Sequence, residues 1–358
     1  MRLYNTVELR GYTAITDTVH LSEREAERHS EHNYSKLRVR ERYSSQMDRS
    51  MACSPPLSRV VVSGGTHGNE LAGVCLVKEW LRGDSAPCLE RSSFTAQPLL
   101  ANPRATEQGV QNTTLAPPSP SDPYELVRAR ELDSLLGPKG SDEAVDFICD
   151  LHNTTANMGA SLILYSLSDY FCLHMLHHLQ THMQLAPVYC VVFEEPPSAA
   201  YSLDTIGKRG LALEVGPLPH GLVRADVLSQ MSEGVKLILD FIDLFNRGTL
   251  FPPCQVEVYR KLEGLDFPRE LQSGELNGTV HPERQDRDFR VLNPGDPLFL
   301  RFDGETVRFK GERPVYPFFI NEAAYYEKKL ALWTAERVSV SVPALRVRGG
   351  LGGAGGGD

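Results

Sequence analysis

Two short motifs rich in histidine and acidic side chains follow two apolar runs of the sequence. Residues 64–70 read GGTHGNE, and residues 150–155 read DLHNTT. His67 and Glu70 stand three residues apart at a predicted helix start, so both side chains can face one point above a strand end. His152 follows a second predicted strand, and we expect it at the same carboxyl edge, where open α/β sheets bind ligands.

These residue types are typical of a catalytic zinc centre. Two imidazoles and one carboxylate leave a fourth coordination position open, unlike a closed structural site. A zinc ion in such a site lowers the pKa of water to about 7 and polarises a carbonyl group. A single His-x-x-Glu motif after a strand is also common by chance. The flanking glycines and the second motif favour a site for one Zn²⁺ per subunit, formed by His67, Glu70 and His152.

Another acidic residue, Glu214, lies near the end of a third apolar run. An unpaired carboxylate in that position would be costly, which indicates a specific role. As a general base and acid, Glu214 would take a proton from water and return it to a leaving amine. Alternatively, it is paired with an arginine or a backbone amide in a structural role. Its position alone does not separate these two interpretations.

A cluster of four histidines, His174, His177, His178 and His182, offers a competing metal motif. Pairs of them are four residues apart, as in a zincin helix. No glutamate accompanies them in the zincin arrangement, and leucines and methionines fill the positions between them. The pattern therefore favours an ordinary amphipathic helix with a solvated histidine face.

The elements that must position the two motifs alternate between strand and helix patterns. Apolar runs predict strands, and apolar residues at helical spacing predict helices between them. The predicted strands cover 59–63, 94–101, 145–151, 161–165, 188–193 and 210–215, and the predicted helices cover 71–81, 122–137, 171–182 and 225–245. This alternation predicts an α/β sheet flanked by helices on both faces.

The chain divides into four predicted segments. Residues 1–56 begin with a mixed-charge region that we expect to be a disordered extension. The α/β domain covers 57–247 and contains the zinc motifs. Short runs punctuated by glycine and proline predict a smaller β-rich C-terminal domain over 248–345. Seven of the last ten residues are glycine, so 346–358 is predicted to be a flexible tail.

Composition excludes several classes of protein. The formal net charge is −9, which disfavours a general nucleic-acid or anionic-membrane binder. No apolar stretch is long enough to span a bilayer, and the first ten residues contain no secretory apolar segment. Seven cysteines form no regular framework and predict free, mostly buried thiols. We therefore expect a cytoplasmic globular protein.

The same motifs resemble those of the aspartoacylase family. The resemblance runs from about residue 59 to about residue 343. It includes the segments 64–70, 150–159, 214–217, 224–226, 240–242, 251–253, 285–286 and 321–328 (NEAAYYEK). Residues 122–138 and 315–328 resemble the aminoacylase-3 branch, whose members are N-acyl-aromatic-amino-acid amidohydrolases.

The resemblance implies a zinc-carboxypeptidase-like α/β domain and a β-rich C-terminal domain that narrows the active-site channel. It implies zinc at His67, Glu70 and His152, with Glu214 as the catalytic acid and base. It also places two tyrosines against the substrate. Tyr325 would reach in from the second domain, and Tyr201 would lie on the substrate side.

The implied reaction is the hydrolysis of N-acyl aromatic amino acids and mercapturates, which are N-acetyl-S-cysteine conjugates, to a carboxylate and a free amino acid. Aspartoacylases proper carry an arginine shortly after the position of Tyr201, whereas this chain has Asp204. Like-charge exclusion would disfavour N-acetylaspartate. The resemblance further implies a homo-oligomer and allows peripheral association with the apical membrane of epithelia.

One segment departs from the family. After its Asn-Pro strand end, the family has an arginine that polarises the scissile carbonyl, and then an Asp-x-Asp-Leu-Asn-Arg run that holds the α-carboxylate. Residues 104–121 are shorter here and lack both arginines and the Asp-x-Asp. Asn112 stands where the family asparagine would be, and Arg104 is close enough in sequence to substitute. A shortened transcript or a mis-joined gene model would explain this gap and the unfamiliar residues 1–50.

The gap predicts zinc binding with weak or absent turnover. Loss of one oxyanion donor costs about 2.7–4 kcal/mol of barrier, and an unpaired substrate carboxylate costs roughly 2–5 kcal/mol. Two alternatives remain open. A metallocarboxypeptidase shares the fold, although the NEAAYYEK segment argues against a channel open to peptides. A zinc-binding but catalytically impaired relative would act as a subunit or interaction partner.

Overall fold

The structure is a computed structural model that describes residues 51–83, 86–110, 124–194 and 202–349. The described residues contain fourteen strands. They are β1 (Ala52–Ser54), β2 (Val60–Gly64), β3 (Gln97–Leu100), β4 (Phe147–Asn153), β5 (Gly159–Leu164), β6 (Val188–Val192), β7 (Gly210–Gly216), β8 (Cys254–Leu265), β9 (Gly278–Val280), β10 (Pro297–Arg301), β11 (Thr306–Arg308), β12 (Tyr316–Phe318), β13 (Leu332–Val342) and β14 (Leu345–Val347).

Five α-helices and three short 3₁₀ helices occur in the same described residues. The α-helices are α1 (Leu71–Arg82), α2 (Pro103–Gln108), α3 (Tyr124–Leu136), α4 (Tyr170–His182) and α5 (Ala225–Asn246). The 3₁₀ helices cover Ala86–Leu89, Leu203–Thr205 and Ala323–Tyr325. Residues 1–50 of the predicted extension and 350–358 of the predicted tail lie outside the described residues, whereas residues 52–54 and 346–347, which the same predictions covered, lie in the paired strands β1 and β14.

Nine strands form one mixed sheet in the order β12-β13-β8-β6-β5-β7-β4-β2-β3. Strands β3, β2, β4 and β7 run parallel, and β5 pairs with β7 antiparallel. β5, β6 and β8 are parallel, whereas β8, β13 and β12 are antiparallel. The predicted mixed α/β sheet with flanking helices is confirmed.

Alternation along the strands builds two apolar layers. In β2, Val60 and Val62 face a core shared with α1, α4 and α5, whereas Val61 faces a second core shared with α3. Phe171 of α4 packs edge to face against Phe241 and Phe245 of α5, with ring centroids 5.2 and 5.0 Å apart. Helices therefore cover both faces, which is why the central parallel strands are buried throughout.

The sheet continues across the predicted boundary near residue 248. β8 and β13 pair over ten residue pairs, and β8 also joins β6. β9, β10 and β11 form a separate small sheet packed on its own apolar cluster. The β-rich character of the C-terminal half is confirmed, while three of its strands extend the same sheet that carries His67, Glu70 and His152. The domain limits themselves stay a prediction.

Two surface predictions need correction. His174 in α4 is buried, not solvated. Its Nε2 lies 2.7 Å from the carbonyl oxygen of Pro343, which satisfies the ring inside the fold. The pKa of His178 is lowered to about 4, first by burial and then by His182. The seven cysteines are free as predicted, but Cys53, Cys75 and Cys88 are exposed. Across the described residues, the helices are too short or too polar to traverse a bilayer.

Candidate active site

The loop between β2 and α1 carries His67 and Glu70. Gly65 turns the chain with a φ of +76°, and Gly68 lies so close to α2 that a Cβ there would approach the carbonyl carbon of Ala105 to 2.1 Å. The amide of Glu70 donates to the carbonyl of His67 at 3.2 Å. Both residues therefore sit on the turn that leads into α1, with Glu70 at its N-cap position, which agrees with the predicted helix start.

His67, Glu70 and His152 converge at the carboxyl ends of β2 and β4. One ligand atom from each lies within 4.8 Å of the other two. Nδ1 of His67 is 2.5 Å from Oε1 of Glu70, and Nδ1 of His152 is 3.0 Å from its Oε2. Glu70 and His152 are buried, whereas the side chain of His67 is 31% exposed. The cluster is therefore reached from one side.

Asp150 fixes the ring of His152. The two residues lie on the same face of β4 because side chains two apart share a face. Oδ2 of Asp150 lies 2.8 Å from Nε2 of His152. Ser63 and Thr66 donate to the same carboxylate at 2.6 and 2.9 Å. Burial would raise the pKa of Asp150, but the charge and hydrogen bond of His152 outweigh burial and lower it. The carboxylate thus holds Nε2, and Nδ1 is the ring nitrogen that faces Glu70.

This donor set fits a zinc ion. Two imidazole nitrogens and one carboxylate oxygen are common zinc ligands, and catalytic sites keep the remaining position for water or substrate. A carboxylate on the far nitrogen of a ligating histidine is also typical of zinc sites. Burial raises the pKa of Glu70, yet His67 and His152 together lower it far below its usual range. Glu70 is therefore anionic and available as a ligand.

Glu214 is the direct neighbour of His152 across the paired strands β4 and β7. Its side chain is buried, and the described residues offer it no lysine or arginine ion pair. Burial first, and then the charge of Glu70, raise its pKa well above the usual range. A carboxyl group with a raised pKa can both accept and return a proton near neutral pH.

Glu322 joins the segment 321–328 to the loop after β4. Its carboxylate accepts from the amide of Thr155 at 2.8 Å and from the amide of Ala324 at 3.1 Å, and it bonds to the hydroxyl of Thr154. Nε2 of His220 lies 3.3 Å from the same carboxylate. This network anchors the 3₁₀ helix that carries Tyr325 near His67, Glu70 and His152.

A cavity of about 550 Å³ opens over the cluster. Its wall is mainly aliphatic and aromatic, with a few polar groups at the cluster end. The lining residues include Ala129, Leu132, Ile163, Leu203, Ile206, Leu330, Tyr165, Phe193, Tyr325 and Trp333, together with Thr66, His67, Asp150, His152, Ser202, Lys261 and Lys328. Burial and the charges of Glu214 and Glu322 raise the pKa of Tyr325 well above its usual range, so its phenol stays protonated.

The other residues that the sequence predicted near the substrate have different positions. Tyr325 lines the cavity as expected. Tyr201 and Asn112 lie outside the described residues. Arg104 is exposed, is absent from the described cavity lining, and lies 5.2 Å from the ring centroid of Tyr124. Asp204 is 1% exposed and accepts a hydrogen bond from Tyr165 at 3.3 Å, so it stands behind the cavity wall.

Sequence reasoning missed several groups that contribute to the site. Asp150 and His152 are two residues apart at the end of a predicted strand, so the sequence already indicated that they share a face and can pair. Glu322 lay inside a recognised motif, but its partners are more than 160 residues away in sequence. Lys261 and Trp333 carry no local signal, because only the pairing of β8 with β13 brings them to the cavity.

Comparison with known proteins agrees with this architecture. The model of the succinylglutamate desuccinylase/aspartoacylase catalytic domain matches residues 56–242. The model of the AstE/AspA barrel-sandwich hybrid domain matches residues 254–337. Both matches cover segments that the structure shows to be joined through one sheet.

Individual relatives cover most of the chain. The human N-acyl-aromatic-L-amino acid amidohydrolase (carboxylate-forming) is 49% identical over 304 residues, which is 81% of this chain and 94% of that protein. Mouse aspartoacylase is 42% identical over 83% of this chain and 98% of its own length. The crystal structure of murine aminoacylase 3 superimposes with a TM-score of 0.78 at 46% identity, covering 82% of this chain and 99% of that one. The chain belongs to the succinylglutamate desuccinylase/aspartoacylase family, with close similarity to its aminoacylase-3 members.

Proposed function

We propose that this chain is a zinc-dependent amidohydrolase that deacylates N-acyl aromatic amino acids and mercapturates to a carboxylate and a free amino acid. The observation that carries the proposal is the convergence of His67, Glu70 and His152, with Glu214 next to His152 across β4 and β7, beside a largely apolar cavity that the two histidines line. A two-histidine, one-carboxylate set beside a buried acid and base is the chemistry that amide hydrolysis requires.

Each group has a distinct role in this proposal. His67, Glu70 and His152 would hold the zinc ion, which supplies an activated water and a Lewis acid for the scissile carbonyl. Glu214 accepts the proton of the attacking water and returns it to the departing amine nitrogen. Tyr325 stays protonated and can donate a hydrogen bond to a substrate oxygen.

The cavity wall supports a substrate with a neutral, bulky side chain. Ile163, Leu203 and Ile206 form an aliphatic surface, and Phe193 and Trp333 add aromatic faces. Such a wall favours aromatic or S-conjugated side chains through burial and ring stacking. It offers no guanidinium to a second carboxylate among the described residues, which disfavours N-acetylaspartate.

A catalytically impaired relative remains the second candidate. The observation in its favour is the absence of any arginine from the described cavity lining, together with the exposed position of Arg104. The same observation supports weak turnover in the amidohydrolase. A non-catalytic protein would keep zinc and act as a subunit or interaction partner.

The substrate class is tested by a panel assay on zinc-loaded protein. Free amino acid released from N-acetyl-L-tyrosine, S-benzyl-N-acetylcysteine and N-acetyl-L-aspartate would be measured at equal concentrations. The proposal expects slow release from the first two and none above background from the third. Preferential hydrolysis of N-acetylaspartate would contradict the substrate assignment. Stable mixed oligomers with an active relative, without any turnover, would favour the second candidate.

Location and assembly are separate proposals. We propose a cytoplasmic homo-oligomer that can associate peripherally with the apical membrane. Light scattering of the purified chain and fractionation of epithelial cells would test the two parts independently. A monomer across the micromolar range would contradict the first part.

A further inference from the structure

Two hydroxyl groups line the cavity at the end away from the metal cluster. Tyr165 directly follows β5, and Ser202 directly precedes the 3₁₀ helix Leu203–Thr205. β5 pairs antiparallel with β7, which places Ser161 level with Glu214. Tyr165 is four residues further along in the direction of β5, a distance of about 13 Å at the rise of a strand. The two hydroxyls therefore lie where the side chain of a substrate would end, not where its amide is cleaved.

The backbone that carries Ser202 is held against the sheet. The amide and the hydroxyl of Thr205 donate to the carbonyl of Ser202 at 3.1 and 2.7 Å. A Cβ at Gly210, the first residue of β7, would lie 2.1 Å from the carbonyl oxygen of Asp204. Because the turn packs directly on the start of β7, the Ser202 hydroxyl has a fixed position at the cavity wall.

A buried carboxyl group sets the direction of the hydrogen bonds between these hydroxyls. Asp204 is buried, and the hydroxyl of Tyr165 donates to its Oδ1 at 3.3 Å. A phenol has a single hydrogen, so Ser202 is the donor in the contact between its Oγ and the Tyr165 oxygen. Burial raises the pKa of Asp204 to about 6, although a hydrogen bond from Ser202 opposes the rise. At pH 7.5 the group is therefore mainly an ionised acceptor.

This arrangement leaves Ser202 with an acceptor to offer to the cavity. Its one hydrogen is used inside the wall, whereas its oxygen keeps capacity to accept a further hydrogen bond. Burial and the charge of Asp204 raise the pKa of Tyr165 well above its usual range, so the phenol keeps its proton. The neighbouring wall residues Leu203 and Ile206 are aliphatic. A ligand that reaches this end meets a polar acceptor in apolar surroundings, where an unpaired polar group is costly.

We infer that Ser202, oriented by Tyr165 and Asp204, is a specificity subsite for a hydrogen-bond donor at the tip of the substrate side chain. The inference rests on the proposed function and narrows its substrates. N-acyl amino acids whose ring carries a para hydroxyl or another para donor are preferred over those with an unsubstituted ring. The ring lies along Ile163, and its donor bonds to Oγ of Ser202. Tyr165 and Asp204 act as positioning residues.

Binding to turnover-blocked protein tests the subsite directly. Zinc-loaded Glu214→Gln protein would be titrated calorimetrically at pH 7.5 with the N-acetyl derivatives of four amino acids. L-tyrosine and 4-amino-L-phenylalanine carry a para donor, whereas L-phenylalanine and 4-fluoro-L-phenylalanine carry none. We expect the two donor ligands to bind roughly threefold to tenfold more tightly, the range of one hydrogen bond. A fluoro compound that binds as tightly as the tyrosine derivative overturns the inference.

Matched variants separate the subsite from a general effect of the wall. Ser202→Ala should abolish the donor preference, and Ser202→Thr should keep it, because the extended backbone there (φ −82°, ψ 154°) suits a β-branched residue. Tyr165→Phe removes the partner of the Ser202 hydrogen and should reduce the preference in part. Ser232→Ala, at an exposed serine of α5 outside the lining, should leave it unchanged.

A donor preference that persists in Ser202→Ala contradicts the subsite. Should Glu214→Gln not fold, L-tyrosine and L-phenylalanine would be compared on the unsubstituted protein and on Ser202→Ala, with the same expectation.

The proposed function and the subsite fail in different ways. Equal kcat/KM for N-acetyl-tyrosine and N-acetyl-phenylalanine, with equal binding of the two, would retain the amidohydrolase and remove the subsite. Donor-dependent binding that is lost in Ser202→Ala, without any turnover, would retain the subsite and remove the amidohydrolase.

Discussion

At the scale of single residues, the site is built from side chains that hold one another in fixed states. Asp150 orients His152, and the two histidines keep Glu70 anionic. The types and spacing of His67, Glu70 and His152 predicted this cluster because His67 and Glu70 follow the end of β2 and His152 lies at the end of β4, the parallel strand beside it. Lys261 could not be predicted in the same way, since its position depends on strand pairing and not on a local motif.

Asp150→Asn should weaken metal binding without changing the fold. The amide preserves shape but loses the charge that holds Nε2 of His152, and loss of such a partner typically costs 10–100-fold in metal affinity. Competition with a calibrated chelator would measure the change. Asp142→Asn, at an exposed aspartate, is the control. Zinc affinity unaltered in Asp150→Asn would contradict the assigned hydrogen bond.

Asp204 should make stability depend on pH. Burial raises its pKa from 3.8 to about 6, and its Oδ2 has no hydrogen-bond partner. A raised folded-state pKa gives a contribution that is present below about pH 4 and is lost as the pH rises to about 6. The change in unfolding free energy caused by Asp204→Asn should therefore be about 1–3 kcal/mol more favourable at pH 7.5 than at pH 4.5.

Urea unfolding of both proteins between pH 4.5 and 7.5 would measure this effect. The expected result is a flatter pH dependence in Asp204→Asn. If unfolding free energy depends on pH in the same way in both proteins, the pKa of Asp204 is not raised by folding and the prediction is wrong. Tyr165 can still donate its hydroxyl to the asparagine oxygen, so the contact itself is preserved.

At the scale of elements, the short 3₁₀ helix Ala323–Tyr325 completes the cavity. Alone it is too short to be stable, and the Glu322 carboxylate holds it to the loop after β4 through four groups, the hydroxyl of Thr154, the amide and hydroxyl of Thr155 and the amide of Ala156. The predicted bounds of most helices and strands agree with the observed bounds to within a few residues, since apolar periodicity is a local property.

The full length of β8 and β13 was not predicted, because their antiparallel pairing is long-range.

Glu322→Gln should lower turnover while zinc content stays unchanged. The amide loses the charge and one acceptor oxygen, so the bonds to Thr154 and Thr155 cannot all persist. We expect a loss of about 1–3 kcal/mol in unfolding free energy and a fall in kcat from a displaced Tyr325. Metal analysis, thermal unfolding and kcat measured together would check this. A variant with lower zinc content but normal kcat per zinc would contradict the positioning role.

At the scale of the whole molecule, one sheet unites the two halves of the chain. β8 pairs with β6 on one side and with β13 on the other, so hydrogen bonds cross the predicted domain boundary. The family resemblance predicted the β-rich second half, but strand runs alone could not show that β12 and β13 extend the catalytic sheet. The cavity consequently draws its walls from both halves.

A chain ending at residue 247 should not fold on its own. It would lack β8, β12 and β13 and would expose the buried edge of β6, including Val191 and Val192. Circular dichroism and denaturant unfolding should show no cooperative transition, whereas a chain ending at residue 349 should unfold like the full protein. A cooperative, zinc-binding fragment 1–247 would contradict the single-sheet account.

The most direct test of the central claim is parallel zinc analysis and tyrosine release for the unsubstituted protein and Glu214→Gln. The account predicts about one zinc per chain in both proteins, as expected for one catalytic site of this donor type. It predicts slow release of tyrosine from N-acetyl-tyrosine by the first, reduced at least about a hundredfold in the second. Absence of bound zinc, or tyrosine release undiminished by Glu214→Gln, would contradict it.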